Sequence, residues 1–194
     1  TDNEIVPGTD PEDENETMSA DGMNVTVKYD GAAHTVEATA TKAGSTIYYS
    51  VDGGTIWTTT APTQTNVGTV TYSIKATNPN YEDVIKDGFT LEVTKRSVTL
   101  TSADDEKVYD GTALTNDEVT VSGDGFATGE GATYDVTGSQ TNAGSSENTF
   151  TYELNAGTLA DNYEIETVNG TLKVTKGTDN EIVPGTDPED ENET

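Results

Sequence analysis

The chain repeats itself in step. Tyr29-Asp30-Gly31 returns as Tyr109-Asp110-Gly111, Ser19-Ala20-Asp21 as Ser102-Ala103-Asp104, Thr65-Asn66-Val67-Gly68 as Thr141-Asn142-Ala143-Gly144, and Asn80-Tyr81-Glu82 as Asn162-Tyr163-Glu164. Leu91-Glu92-Val93-Thr94-Lys95 is answered by Leu172-Lys173-Val174-Thr175-Lys176. Landmarks that keep their order divide the chain into two modules, 18–95 and 96–177, of about 80 residues each, enough for each to bury a modest core.

Period-two alternation marks the elements within each module. In the first it predicts strands near 24–28, 34–40, 46–51, 55–59, 69–76 and 88–95, in which Val70, Tyr72 and Ile74 share one face, as do Phe89, Leu91 and Val93. In the second it predicts strands near 97–102, 117–122, 133–137, 147–154, 162–166 and 169–176, with Phe150, Tyr152 and Leu154 inward. Residues 47–57 read as a β-hairpin turning at Asp52-Gly53-Gly54, where glycine tolerates the positive φ of tight turns. Abundant Thr, Gly, Val and Tyr with scarce Leu and Arg agree with strands and turns rather than helices. The expected fold is all-β, two tandem Ig-like β-sandwich modules.

A second repetition is letter-perfect. Thr1 to Thr17, TDNEIVPGTDPEDENET, recurs as Thr178 to Thr194, which a duplicated flank or one period of an array would produce; the array is the simpler reading. Each copy holds seven acidic and no basic residues and two prolines, so 1–17 and 178–194 read as extended acidic linkers. Fully stretched, such a linker reaches about 55 Å at ~3.3 Å per residue. Only Ile5 and Val6, with Ile182 and Val183, offer a place to dock as an edge strand. The junction Thr94-Lys95-Arg96-Ser97-Val98 has no spacer, so the modules are expected to form a semi-rigid pair.

The formal charge of -27, from 36 acidic and 9 basic residues, opposes binding to nucleic acid and to anionic lipid. Cys is absent, which removes disulfides and thiolate metal sites. Neither a basic-then-apolar leader nor an apolar run near 18 residues occurs, so no signal peptide or membrane span is expected within these residues.

Lys95-Arg96-Ser97-Val98-Thr99-Leu100-Thr101-Ser102, Lys107-Val108-Tyr109-Asp110-Gly111-Thr112-Ala113-Leu114-Thr115 and Asn169-Gly170-Thr171-Leu172-Lys173-Val174-Thr175 resemble the MBG/YDG-type repeats of bacterial surface proteins. The likeness spans the second module; the first is similar but departs from it at Ala32-Ala33-His34. The resemblance implies Ig-like stalk modules of exported, cell-wall-attached adhesins. It brings no catalytic motif, and the Tyr-Asp-Gly triplets read as turns in which Gly supplies φ, Asp bonds the backbone and Tyr packs alongside.

The chemistry on offer is sparse. A nucleophilic triad needs a base, and His34 is the sole histidine, read here as solvent-facing. Carboxylate pairs suited to glycoside hydrolysis arise by accident among so many acids, and no groove is predicted for them. No enzymatic activity and no cofactor are therefore expected. Asp104, Asp105 and Glu106 are the candidate calcium ligands, without EF-hand spacing, and Asp10, Glu12, Asp13, Glu14 and Glu16 could gather cations diffusely. Tyr48 and Trp57 are candidate glycan- or glycoprotein-stacking residues. Lys28, Lys107 and Lys176 are conceivable donors for an intramolecular Lys–Asn bond, though no spacing selects one. Three readings stay open: a monomeric spacer whose partners are neighbouring repeats of the same chain, a module that binds host glycans, and a rod stiffened by calcium.

Overall fold

The computed structural model describes residues 2–9 and 15–183. Their regular structure is extended apart from one 3-10 turn, Ala160–Asn162. In chain order the strands are β1 (Ile5–Pro7), β2 (Thr17–Met18), β3 (Asn24–Lys28), β4 (His34–Thr35), β5 (Ala38–Ala40), β6 (Thr46–Ser50), β7 (Thr63–Gln64), β8 (Gly68–Asn78) and β9 (Tyr81–Thr94). There follow β10 (Arg96–Ser102), β11 (Asp105–Val108), β12 (Val119–Gly123), β13 (Ala132–Val136), β14 (Gly144–Asn148), β15 (Phe150–Leu154), β16 (Tyr163–Val168) and β17 (Gly170–Thr175). The chain is thus all-β, and it divides into two compact units. One comprises Thr1–Leu100, Val121–Thr133 and Tyr152–Thr167; the other Thr101–Thr120, Tyr134–Thr151 and Val168–Thr194. The units do not part at the repeat boundary near 95, because three segments of the second repeat, 96–100, 121–133 and 152–167, belong with the first.

In the first unit a five-stranded sheet runs β2–β3–β9–β8–β6. Its spine is the antiparallel pair β8–β9, with Val70 opposite Leu91 and Tyr72 opposite Phe89. Alternation places Phe89, Leu91 and Val93 inside as expected, all at 1% exposure or less, and the Tyr72 ring stacks on Phe89 at 5.4 Å. β3 lies parallel to β9, from Asn24 opposite Thr90 to Lys28 opposite Thr94. The β1–β5 pair and Val36 cover the inner face, so that Ile5 and Val36 share one core with Val25, Tyr49, Tyr72, Ile74, Phe89 and Leu91. Val98, Leu100 and Tyr163 of the β12–β10–β16 sheet are buried too.

The stretch read as an N-terminal linker therefore enters the fold, at the place where Ile5 and Val6 allowed it. Ile5 pairs with Ala40 and is 3% exposed. Burying a side chain of this size contributes about 1.5–3 kcal/mol, which holds a short strand that the surrounding charge would otherwise leave in solvent. Polar anchors fix its ends: Asn3 Nδ2 donates to Ser45 Oγ at 3.1 Å, Asn3 Oδ1 accepts from Lys42 N at 3.2 Å, and Gly8 N donates to Glu37 O at 2.7 Å. Residues 10–14 and 184–194, which contain most of the remaining linker reading, lie outside the described residues.

The expected hairpin over 47–57 does not form. β6 pairs with β8 instead, Tyr48 opposite Lys75, and only a single bridge joins Tyr49 to Thr58. Between them Asp52 Oδ1 accepts from Ser50 Oγ (2.7 Å), Thr55 N (3.0 Å) and Ile56 N (3.0 Å), which winds the chain into a loop. Gly53 and Gly54 do adopt positive φ, 74° and 87°. A carboxylate that satisfies local amides competes with a strand ladder for the same donors.

The second unit repeats the plan in smaller form. β17 carries β11 parallel on one side and β14 antiparallel on the other, as β9 carries β3 and β8. Tyr109 N donates to Thr175 O at 2.8 Å, where the first repeat has Tyr29 N to Thr94 O at 2.9 Å. β13–β15, part of which falls in segments of the first unit, forms a separate pair; Phe150, Tyr152 and Leu154 alternate inward as expected but stay half-buried. Among the described residues the unit's buried apolar cluster comprises Leu114, Leu172 and Val174, and a buried amide supplements it. Asn148, 0% exposed, donates from Nδ2 to Ala103 O (3.0 Å) and Asn116 O (2.9 Å). Ser102 Oγ donates to Asn148 O at 2.5 Å and accepts from Gly170 N at 2.9 Å. A Cβ at Gly170 would overlap the carbonyls of Ser102 and Ala103, so only glycine fits there.

Truncating the stacked core ring tests the first unit's dependence on β8–β9. Phe89→Ala is expected to cost about 3–5 kcal/mol, measured by urea unfolding followed by Trp57 fluorescence.

Candidate functional site

The densest polar constellation lies where the repeats adjoin, within the first unit. β9 ends at Thr94 and β10 begins at Arg96, leaving Lys95 alone between them. Arg96 spends its fork on backbone oxygens: Nε donates to Gly125 O at 2.7 Å, Nη2 to Asp124 O at 2.6 Å and Nη1 to Tyr29 O at 3.4 Å. Asp124 faces back, its Oδ1 accepting from Lys28 Nζ at 2.8 Å and its Oδ2 from Ser97 Oγ at 2.9 Å and Ser97 N at 3.1 Å. The Lys28 ammonium, and then the Ser97 donors, hold the Asp124 carboxyl at about 2.

A second set of bonds centres on Glu130. It accepts from Tyr29 Oη, and from Tyr163 Oη at 2.7 Å, while the two rings meet edge to face at 5.5 Å. Burial, and secondarily the carboxylate, pushes both phenols up, Tyr163 to about 12. Beside them Asn162, 1% exposed, is held by the 3-10 turn; its Oδ1 accepts from Val67 N at 2.9 Å and its Nδ2 donates to Asn66 Oδ1 at 3.0 Å. Lys28, Tyr29, Asn66 and Val67 of the first repeat are thereby tied to Arg96, Asp124, Glu130, Asn162 and Tyr163 of the second. Nothing local in the sequence marks Asp124 or Glu130, and Arg96 stands out only as part of the spacer-free junction. The recurrence of Asn80-Tyr81 as Asn162-Tyr163 was the available signal, since a polar pair preserved in step beside a turn has a job in each copy.

The Tyr-Asp-Gly triplets are turns. Asp30 Oδ1 accepts from Ala32 N at 2.8 Å and Asp110 Oδ1 from Thr112 N at 2.9 Å, with Gly31 and Gly111 at φ 87° and 83°. His34, read as solvent-facing, is instead 3% exposed, with Nε2 2.9 Å from Asp30 Oδ1. It starts β4 directly after this turn, and the aspartate that closes the turn also satisfies the imidazole.

The sugar-stacking candidates converge. Lys75 Nζ lies 5.1 Å from the Tyr48 ring centre and 4.6 Å from that of Trp57, so both rings already face a cation supplied by the chain. A neighbouring groove of about 480 Å³ is lined by Tyr49, Val51, Ile56, Ala61, Pro62 and Val70 among others. The calcium candidates Asp104, Asp105 and Glu106 line one pocket of about 420 Å³ with Thr171 and Lys173, but each is engaged by a different partner. Asp104 Oδ1 accepts from Thr171 N at 2.6 Å, Asp105 Oδ2 from Asn116 Nδ2 at 3.1 Å, and Glu106 pairs with Lys173 Nζ at 3.1 Å. Among the described residues no three of His, Asp and Glu gather as a metal site. Asp10, Glu12, Asp13 and Glu14 lie outside the described residues, and Glu16 is half-buried. Of the conceivable Lys–Asn bond donors, Lys28 and Lys107 carry their amines to Asp124 and Asp110, each at 2.8 Å.

The chain matches no family model and no curated protein. Among solved structures it is similar to fibronectin(III)-like modules of Clostridium thermocellum CbhA, at 14% identity and a TM-score of 0.30, over 88% of this chain and 100% of that one. Among the described residues no helix is long and apolar enough to cross a membrane.

Two outcomes follow from these contacts. Asp124 is held below the usual carboxylate range near 4, so the stability it contributes is present above pH ~4 and lost as the pH falls through its folded value of about 2. Melting temperatures taken between pH 4 and pH 2 should fall more steeply for the wild type than for Asp124→Asn. With Lys173 already on Glu106, millimolar calcium should leave the melting temperature unchanged; a calcium-dependent rise would restore the stiffened-rod reading.

Proposed function

We propose that the chain is a structural segment of a tandem-repeat protein of the bacterial cell surface, of the MBG/YDG type, that spaces a distal binding domain from the cell wall. Its Ig-like modules act by packing, without catalysis, and their partners are neighbouring repeats of the same chain. The observation that carries this reading is the closed joint between repeats, in which Arg96, Asp124, Glu130 and Asn162 of the second repeat bond to Tyr29 O, Lys28 Nζ, Tyr29 Oη and residues 66–67 of the first. A spacer must resist bending where modules meet, and bonds satisfied on both sides of a one-residue connection do so.

The rival reading, a glycan-binding module, draws on Tyr48 and Trp57. Its support is weakened by Lys75, which already lies against both rings and would have to be displaced by a sugar. Outside the cell the acidic surface favours solubility, while physiological salt screens its repulsion beyond about 8 Å.

Pulling separates the two. With handles on cysteines introduced at Ser19 and Lys176 of a chain that has none of its own, the protein should lengthen only in steps that unfold strands. Compliant stretching at the joint before any unfolding step would count against a spacer. Binding to a glycan array that disappears in Trp57→Ala would replace the spacer reading with the adhesive one.

A further inference from the structure

The flank that occurs twice is found in two different situations. In its first copy Asn3 and Ile5 are each 3% exposed, and β1 pairs Ile5 with Ala40, Val6 with Thr39 and Pro7 with Ala38. Further bonds seat it: Glu4 N donates to Thr41 Oγ1 at 2.9 Å, Thr41 N to Glu4 O at 2.9 Å, and Lys86 Nζ to Ile5 O at 3.4 Å. In its second copy the same residues, Asn180 to Val183, form no strand, and Ile182 and Val183 are 96% and 83% exposed. An Ile-Val pair so exposed in so acidic a segment is a strand without a sheet, and the chain itself displays the sheet that this sequence fits.

We infer that Asn180–Val183 is the first strand of a following copy of this repeat, seating on that copy's β5 as Ile5 and Val6 do here. Only Lys176 to Asp179 then separate β17 of one copy from the seated strand of the next, in place of an extended seventeen-residue linker. The face beside this exit matches. Tyr109, Asn142 and Ala143 line a cavity of about 310 Å³ with Lys176 and Gly177, and they are the in-step counterparts of Tyr29, Asn66 and Val67, which the first repeat uses in the joint described above. Asn3 and the Lys42–Ser45 turn that anchors it lie beside Tyr81, whose ring has Lys42 Nζ 5.2 Å from its centre, and Tyr81 is the in-step counterpart of Tyr163. Seating the strand therefore brings the counterparts of both halves of a known joint to the same end. The inference concerns how copies join and stands whatever the array is for.

The wild type fills its own slot, because a tethered strand outcompetes a free one, and it should stay monomeric. In Ile5→Asp the first copy loses its apolar anchor while the second keeps Ile182. This full-length variant should associate head to tail with concentration in sedimentation velocity, a non-closing arrangement, and dissociate on dilution. It should also melt higher than Ile5→Asp combined with Ile182→Asp, which should be monomeric. With Thr39→Cys and Val183→Cys added, the Ile5→Asp variant should give a ladder of disulfide-linked chains on a non-reducing gel. Identical association and melting of the single and double Asp variants at every concentration would overturn the inference, whether or not they fold. A monomeric Ile5→Asp that still melts above the double variant would place the strand in its own chain's slot and overturn assembly between copies.

Discussion

Everything in the first unit depends on the backbone passing from β9 to β10 through one residue. A connection of that length cannot form a loop, so β10 must run on directly from the end of β9 into its own sheet, and the groups around the junction are fixed by that run-on. Arg96 makes the position specific. Its planar fork presents several donors in a fixed geometry, and two peptide oxygens of the 124–125 turn and one of residue 29 accept from it. A lysine also has three donors, but on a single nitrogen, so it could not meet carbonyls that are reached here from Nε, Nη1 and Nη2 separately, and an apolar residue would leave them bare.

Cations are scarce here, and their placement is correspondingly economical. Of nine basic residues, Lys28, Lys107 and Lys173 meet carboxylates, Lys42 and Lys75 face aromatic rings, Lys86 reaches the carbonyl of Ile5, and Arg96 holds the junction. Exposed pairs of this kind are individually worth 1 kcal/mol or less in typical cases. Their value is positional: in a chain with a large acidic excess, a positive group marks where a loop must return.

Much of this could be read from the residues, and what could not has physical reasons. β3, β9 and β10 were legible because Val25 and Val27, Phe89 to Val93, and Val98 and Leu100 alternate with polar neighbours over several residues. β2, β7 and β11 are two to four residues long and largely polar, held by their partners rather than by any pattern of their own. β1 was legible only as a permission, since nothing local says that an isolated Ile-Val will find Ala40. The loop after Tyr49 is not legible locally, because Val51 continues the alternation while Asp52 captures the amides that a hairpin would need. The burial of His34 is hidden from pattern because its partner is the aspartate of the preceding turn. The Glu130 cluster escaped altogether, for it joins Tyr29 to residues about a hundred positions away, and no local periodicity encodes such a meeting. Tyr48 and Trp57 did come together, around a lysine that the sequence did not suggest.

The parallel partnership of β3 with β9, echoed by β11 with β17, has a mechanical meaning. Each repeat pairs an early strand with its last one, side by side and pointing the same way. A load entering at Asn24 and leaving at Thr94 slides the two past each other, so the ladder from Asn24 to Lys28 is strained as a whole and must rupture nearly at once. Had the same strands run antiparallel, the load would have peeled them apart one rung at a time.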